Sequence, residues 1–308
     1  MKNPNILVPT DFSDLSKKAM HIANDVANLL DGKVTPFHSY IPITDMDGFH
    51  YMNTGAGTEK NLTDIEDSLK QRIDDISGEY IDAKRLEPGI IGIGNPAHAI
   101  VESSIDYDLI IMSTHGRTGF KRFLLGSVAE KVLRMSNVPV LVVEDQTHFS
   151  PMQRILVTTD FSDNAKAAYP IARDFAEASG ADVELFHAVL YDNFDSLAKA
   201  ESTYDMRQEN LERIAMEYFP NLKGKVHVNV VMTNRSAHET IMEQTQKELY
   251  NMVVMSTIGR TGLDYLMLGS TTSNVARLTN SAVLSVNPEK TASQKKKAII
   301  EDMQASDK

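Results

Sequence analysis

The chain has 308 residues, of which 42% are hydrophobic and 24% charged, enough for about two globular domains with their own cores. It contains no cysteine, which rules out disulfides and thiolate metal sites. Residues 1–149 carry 14 Lys+Arg against 21 Asp+Glu (14 − 21 = −7) and the remainder 17 against 21 (17 − 21 = −4), so both halves are acidic and nucleic acid is not an expected partner.

The chain opens "MKNPNILVPTDFSD". Its apolar run is too short for a secretory leader, and no run of about 18 apolar residues follows, so a cytoplasmic protein without membrane contact is expected. "NILVPT" reads as a buried parallel strand. Ser13 is placed to cap the next helix, whose apolar face is Ala19, Ile22, Ala23, Val26, Leu29 and Leu30. Gly32 is expected to close that helix. "KVTPFHSY" is a second strand, with an irregularity expected at Pro36. The long segment Ile41–Lys60 reads either as a cover for a site or as an exposed insertion. A helix over 61–81, a strand around "IIGIG" and a helix begun by Pro96 follow. "YDLIIMS", "GSVAEKVLRMS" and "PVLVVE" complete the unit as strand, helix and strand.

The unit then repeats. "ILVPTDFSD" (Ile6–Asp14) returns as "ILVTTDFSD" (Ile155–Asp163), and "PFHSYI" as "LFHAVL". "NPAHAIVE" returns as "RSAHETIME", and "NVPVLVVE" as "NSAVLSVN". The loop "MSTHGRTGFKRFLLGSVAEKV" returns as "MSTIGRTGLDYLMLGSTTSNV". A period of about 145 residues is too long for a solenoid. The expected domains are 1–146 and 151–290, followed by a polar tail, 291–308. Alternating strands and helices imply a doubly wound parallel sheet in each copy. Ligands in such sheets sit at the carboxyl ends of the strands, where the strand order reverses. The first and fourth strands are expected to be central neighbours, and both are followed by a repeated loop.

That loop has the parts of a phosphate cradle. Gly126 opens a helix whose N–H groups and partial positive charge attract anions. Ser127 adds a hydroxyl, and Arg117, Lys121 and Arg122 add local positive charge. The other reading is a tight strand-to-helix turn with Ser127 as a plain cap. The loop is not a Walker A sequence. Asp11 and Asp160 read as ligands or as turn carboxylates. His38 and His187 read as satisfied structural histidines, and His98 and His238 as packing or capping groups. His115 lies in the first loop, but the second has Ile258, which argues against a shared catalytic role. No histidine spacing typical of a metal site occurs, and the 15 methionines read as core filling.

With "VPTDFS" and "STHGRTGFKRFLLGS" in hand, the chain resembles the universal stress protein family, in its tandem two-domain form, over residues 3–288. Gly116, Gly126 and Ser127 fit the family's Gly-x2-Gly-x9-Gly-Ser/Thr motif, with Ser113 in place of its first glycine. Gly259, Gly269 and Ser270 fit it again, with Ser256 in place of the first glycine. The resemblance implies two Rossmann-like domains packed as an intramolecular pseudo-dimer through their last strands, with further self-association left open. It implies ATP as ligand, with Mg²⁺ as its companion, and a regulatory role in the stress response. The implied first site is Pro9, Thr10, Asp11, Ser39, Ser113, His115, Gly116, Arg117, Gly126, Ser127, Val128 and Ala129. The implied second site is Thr158, Thr159, Asp160, Ala188, Ser256, Gly259, Gly269, Ser270 and Thr271. A slow ATPase, or a protein-interaction scaffold with vestigial sites and an unknown partner, are the alternatives. The first site is expected to be the tighter, since Asp264 and Tyr265 replace two cations in the second loop and Thr158 replaces Pro9.

Overall fold

In a computed structural model of the protein, residues 1–41, 57–116, 125–257 and 268–288 are described, without the side chains of 57–62, 194 and 195. The Ile41–Lys60 segment beyond Ile41 and up to 56 lies outside them, as do the tail and Arg117, Lys121, Arg122, Ile258, Gly259, Asp264 and Tyr265.

The first half runs β1 (Asn5–Pro9), α1 (Asp14–Leu30), β2 (Lys33–Tyr40), α2 (Gly57–Tyr80), β3 (Ile90–Ile93), α3 (Pro96–Ser103), β4 (Leu109–Ser113), α4 (Ser127–Met135) and β5 (Val140–Val143). The second runs β6 (Arg154–Thr158), α5 (Ala168–Ser179) after a 3₁₀ turn, and β7 (Asp182–Leu190). It continues with α6 (Phe194–Ser202), α7 (Tyr204–Tyr218), β8 (Val226–Thr233), α8 (Ala237–Lys247), β9 (Met252–Ser256), α9 (Ser270–Leu278) and β10 (Ala282–Val286). All strands join one sheet in the order β3-β2-β1-β4-β5-β10-β9-β6-β7-β8. The order reverses between β1 and β4, and between β6 and β9, which are the expected central pairs.

Among the described residues every strand pairing is parallel except β5 with β10. There Leu141 lies opposite Leu284, Val142 opposite Val283 and Val140 opposite Ser285. Leu141 and Leu284 are each other's counterparts in the repeat, so a pseudo-two-fold axis passes between them. The halves thus form the expected pseudo-dimer, and two sheet edges are removed. Alternate residues of each strand feed apolar layers on the two faces. Ile6, Val8, Leu141, Tyr169 and Phe175 lie in one layer, and Leu7, Val140, Val142, Val253 and Val283 in the other. Both layers run through both halves, which explains strands that are apolar without alternation.

The link between halves is fastened. Asn251 Nδ2 donates to His148 O (2.9 Å) and Pro151 O (3.1 Å), and its Oδ1 accepts from Gln153 N (2.8 Å) and Arg154 N (3.1 Å). The rings of Phe149 and Phe175 meet edge to face at 6.4 Å.

Three local expectations are refined. Ser13 caps α1 as expected, but the left-handed residue closing it is Asp31 (φ 59°), not Gly32. Glycine is needed at 32 for space, because a Cβ there would lie 2.6 Å from Pro4 O. Pro36 leaves β2 unbroken. Val34 turns its peptide groups to the β3 side, toward Arg85 O and Glu87 N (2.8 Å each). Pro36 faces that same side, between the Val34–Leu86 bridge and the start of β3 at Ile90, where its missing N–H costs no ladder bond. Finally, "NPAHAIVE" and "RSAHETIME" align by their helix caps, Asn95 and Ser236. That places His98 opposite Glu239, so the two histidines are not counterparts.

Candidate functional site

The loop after β1 is a built turn. Thr10 Oγ1 accepts from Phe12 N (3.0 Å) and pairs with Ser16 Oγ (2.9 Å). Asp11 Oδ1 accepts from Ser13 N (3.0 Å) and Ser13 Oγ (2.6 Å). The turn carboxylate is thus realised. Phe12 is held at φ 66°, a left-handed conformation that costs a non-glycine residue about 1–2 kcal/mol. His38 Nδ1 lies 2.7 Å from Thr10 O, and its ring is 4.5 Å from that of Phe12. A structural histidine therefore ties β2 to the turn. The second half repeats this design: Phe161 has φ 63°, Asp160 binds Ser162, and His187 Nδ1 lies 2.7 Å from Thr159 O. Only the threonine's partner differs, being Tyr169 OH at 2.6 Å. Burial pushes that hydroxyl up to about 12, against a smaller lowering by its bond to Thr159.

The loop after β4 returns to the strand that launched it. Gly126 N donates to Thr114 O (2.8 Å), and a Cβ on Gly126 would lie 2.7 Å from that oxygen. Gly269 repeats both with Thr257 O, at 3.0 and 2.7 Å. Gly116 closes on the first turn, where a Cβ would lie 2.6 Å from Asp11 Oδ2. At Gly126 and Gly269 glycine is needed because a backbone carbonyl lies too close for any side chain, whereas at Gly116 the crowding atom is the Asp11 carboxylate. Ser113 Oγ donates to His115 O (2.8 Å), so the serine standing where a glycine was expected fastens the loop.

Helices α1, α3, α6 and α8 begin on a side-chain cap (Ser13, Asn95, Asn193 and Ser236). Helices α4 and α9 begin on glycine without one. Their first-turn N–H groups have no intrahelical acceptor. His115 Nδ1 lies 3.0 Å from Thr114 Oγ1 and 3.3 Å from Glu144 Oε1, while its Nε2 is buried without a hydrogen-bond partner among the described residues. The second half has Asn287 where Glu144 stands.

These parts enclose a cleft of about 330 Å³ at the carboxyl ends of β1 and β4. Every residue of the expected first site lines it except Arg117, which is outside the described residues. A second cleft, of about 190 Å³, is lined by the whole expected second site except Gly259, also outside them. The universal stress protein family model matches the chain twice, over residues 2–144 and 151–287. The chain belongs to the universal stress protein family.

A universal stress protein of Mycolicibacterium smegmatis is 26% identical over 298 residues, covering 92% of this chain and 97% of that one. One from Methanocaldococcus jannaschii is 34% identical over 151 residues, covering 45% of this chain and 93% of its own. The crystal structure of a universal stress protein from Archaeoglobus fulgidus superposes with a TM-score of 0.64 at 25% identity, covering 92% of this chain and 98% of that one.

In this universal stress protein chain the sequence left out several lining residues. Phe37, Ile100, Met112 and Thr114 line the first cleft, and their counterparts Phe186, Ile241, Met255 and Thr257 line the second. "MST" recurs in both loops, so repetition was the available signal for Met112 and Thr114. Ile100 was hidden by the one-residue misalignment of the histidines. His238 packs on its cap, with Nδ1 3.0 Å from Ser236 Oγ. Among the described residues, no group of three or more His, Asp and Glu could hold a metal ion, and no helix is long and apolar enough to cross a membrane.

Proposed function

We propose that the first cleft binds an adenine nucleotide, ATP accompanied by Mg²⁺, and that the chain acts as a cytoplasmic, regulatory nucleotide-binding stress protein. One observation carries this reading: α4 enters the cleft uncapped, from a glycine fixed on Thr114 O. The N–H groups of Ser127, Val128 and Ala129 then offer donors and positive potential to phosphates. Pro9, Thr10, Asp11 and Ser39 hold the adenosine side, as the family resemblance implies. Ser113, His115, Gly116 and Gly126 border ribose and phosphates, and the family resemblance implies the same for Arg117. Mg²⁺ would be held through the phosphates, with Asp11 as the candidate carboxylate. The second cleft has the corresponding parts in Thr158, Thr159, Asp160, Ala188, Ser256, Gly269, Ser270 and Thr271, with Gly259 their companion by sequence motif.

Mass analysis under native and denaturing conditions tests the reading. Purified protein should release an adenine nucleotide on denaturation, and Gly126→Ala should emerge without it, since its Cβ would drive the loop from Thr114 O. Protein that purifies bare and takes up no ATP in calorimetry would refute it.

A second reading, slow ATP hydrolysis, is favoured by His115. Nδ1 is engaged by Thr114 Oγ1 and Glu144 Oε1, which leaves the buried Nε2 to accept a proton from an attacking water once the loop uncovers it. Phosphate release that is slow in the wild type and lost in His115→Asn, with binding kept, would support it.

A further inference from the structure

The turn after β1 holds Phe12 at φ 66°, a conformation that a bulky residue keeps only where its surroundings over-determine it. Phe12 N donates to Thr10 Oγ1, and the ring meets the His38 imidazole at 4.5 Å. A third group reaches the ring from outside the cleft. The guanidinium of Arg72, on α2, lies over it with Cζ 4.3 Å from the centroid. Helix α2 belongs to the other face of the sheet. Its Ile76 and Tyr80 pack on the layer of Ile6 and Val8, whereas Phe37, Ile100 and Met112 of the cleft belong to the opposite layer.

The second half builds the same contact from a different residue. Arg207, on α7, has its Cζ 5.6 Å from the centroid of the Phe161 ring, which meets His187 at 4.3 Å. Helices α2 and α7 align by their last residues, Tyr80 and Tyr218, and this also matches the fully buried Ile73 with Leu211. Arg72 then falls opposite Asn210, and Arg207 opposite Leu69. The two arginines are therefore not counterparts in the repeat. They stand about one helical turn apart and still bring a guanidinium to the same ring, so duplication of one position does not account for the contact.

We infer that Arg72 is a positioning residue for the first cleft: its cation on the ring holds Phe12 in the left-handed conformation, and so sets the place of Asp11 beside it. Asp11 Oδ2 borders the glycine loop after β4, since it would lie 2.6 Å from a Cβ on Gly116. His38, against the same ring, lines the cleft. A cation on the far face of the sheet thus shapes two parts of the cleft wall, acting through Phe12 and not on the ligand itself. This rests on the nucleotide reading of that cleft.

Calorimetric titration of the full chain with ATP, after removal of any carried nucleotide, tests this as a double-mutant cycle. Arg72→Met keeps an unbranched apolar stem and loses the cation. It should weaken ATP binding by about two- to fivefold, the worth of one exposed cation–π contact. Arg72→Lys, which restores a cation, should recover most of that loss. Phe12→Leu should weaken ATP binding on its own, and in that background Arg72→Met should add nothing. Lys70→Met removes an exposed charge from the same helix and should leave the affinity unchanged, which separates contact from charge even if Phe12→Leu fails to fold. Melting curves without ATP check that each variant is folded. A merely structural arginine would lower the melting temperature and leave the affinity as it was. A long-range attraction of ATP would weaken Lys70→Met equally and would persist in the Phe12→Leu background. Either result would overturn the inference while leaving the nucleotide reading intact. No ATP binding by the wild type would overturn both.

Discussion

Tyr169 takes the position of Met20 in the first half, and its hydroxyl supplies the bond to Thr159 that Ser16 supplies to Thr10. Ala165, standing where Ser16 stands, could not. The exchange buries a phenol, and burial raises its pKa to about 12 from 10.0. Below pH 10 the folded and unfolded states are both protonated there, so the shift leaves stability unchanged. Above pH 10 the unfolded phenol ionises first, and the unfolded state gains. Stability should fall between about pH 10 and 12, by up to about 2–3 kcal/mol from this group. Tyr169→Phe should flatten that slope while lowering stability at pH 8 through loss of the Thr159 bond. Urea titrations at pH 8, 10 and 11 measure both effects, and an unchanged alkaline slope in the variant would contradict the assignment. Neither this residue nor the left-handed Phe12 was legible in the sequence. A substitution in one copy that compensates another is visible only when the two meet in space. By contrast, Asp11 and His38 were legible because the repeat preserved them with their neighbours.

At the scale of elements, apolar runs and loop glycines placed all the strands of the first half, and repetition carried them to the second. What they could not place was polarity inside the sheet. Glu184 is the third residue of β7, 6% exposed, with donors from Asn229 and Gln244 (2.9 Å each), Tyr250 (2.7 Å) and Arg154 (3.2 Å). The first half has Thr35 there, and nothing local to β7 announces the four donors, which come from three other elements and one connecting segment. Ser285 in β10 is the opposite case. It is 2% exposed on the interface strand, opposite Val140, and its hydroxyl has no hydrogen-bond partner among the described residues. Its counterpart in β5 is Val142. A buried hydroxyl without a partner costs about 1–3 kcal/mol. Ser285→Val should therefore raise the unfolding free energy by about 1 kcal/mol or more in a denaturant titration with unchanged m-value. A loss of stability would mean that the face is already full.

For the whole molecule, the register of β5 and β10 carries a consequence for how the duplication holds together. Leu141 opposite Leu284 puts equivalent residues on the axis, so β5 is shaped to meet a copy of itself in the same register. All four residues of β5 are buried. Cutting the chain in the link would uncover them, together with the open peptide groups of Val140 and Val142 on that edge. An apolar edge of this kind does not stay unpaired in water. A fragment of residues 1–146 should therefore run at twice its mass in light scattering at micromolar concentration, with Val142 now pairing against Val140 of the other copy. Val142→Lys should return it to a monomer, because the charge would fall at the centre of the new pair. The same substitution in the full chain should be tolerated less well, since there β10 and the link hold the halves in contact and the lysine would have to enter the shared apolar layer. A fragment that stays monomeric and folded would show that β5 is not self-complementary, and that the pseudo-dimer depends on residues specific to β10.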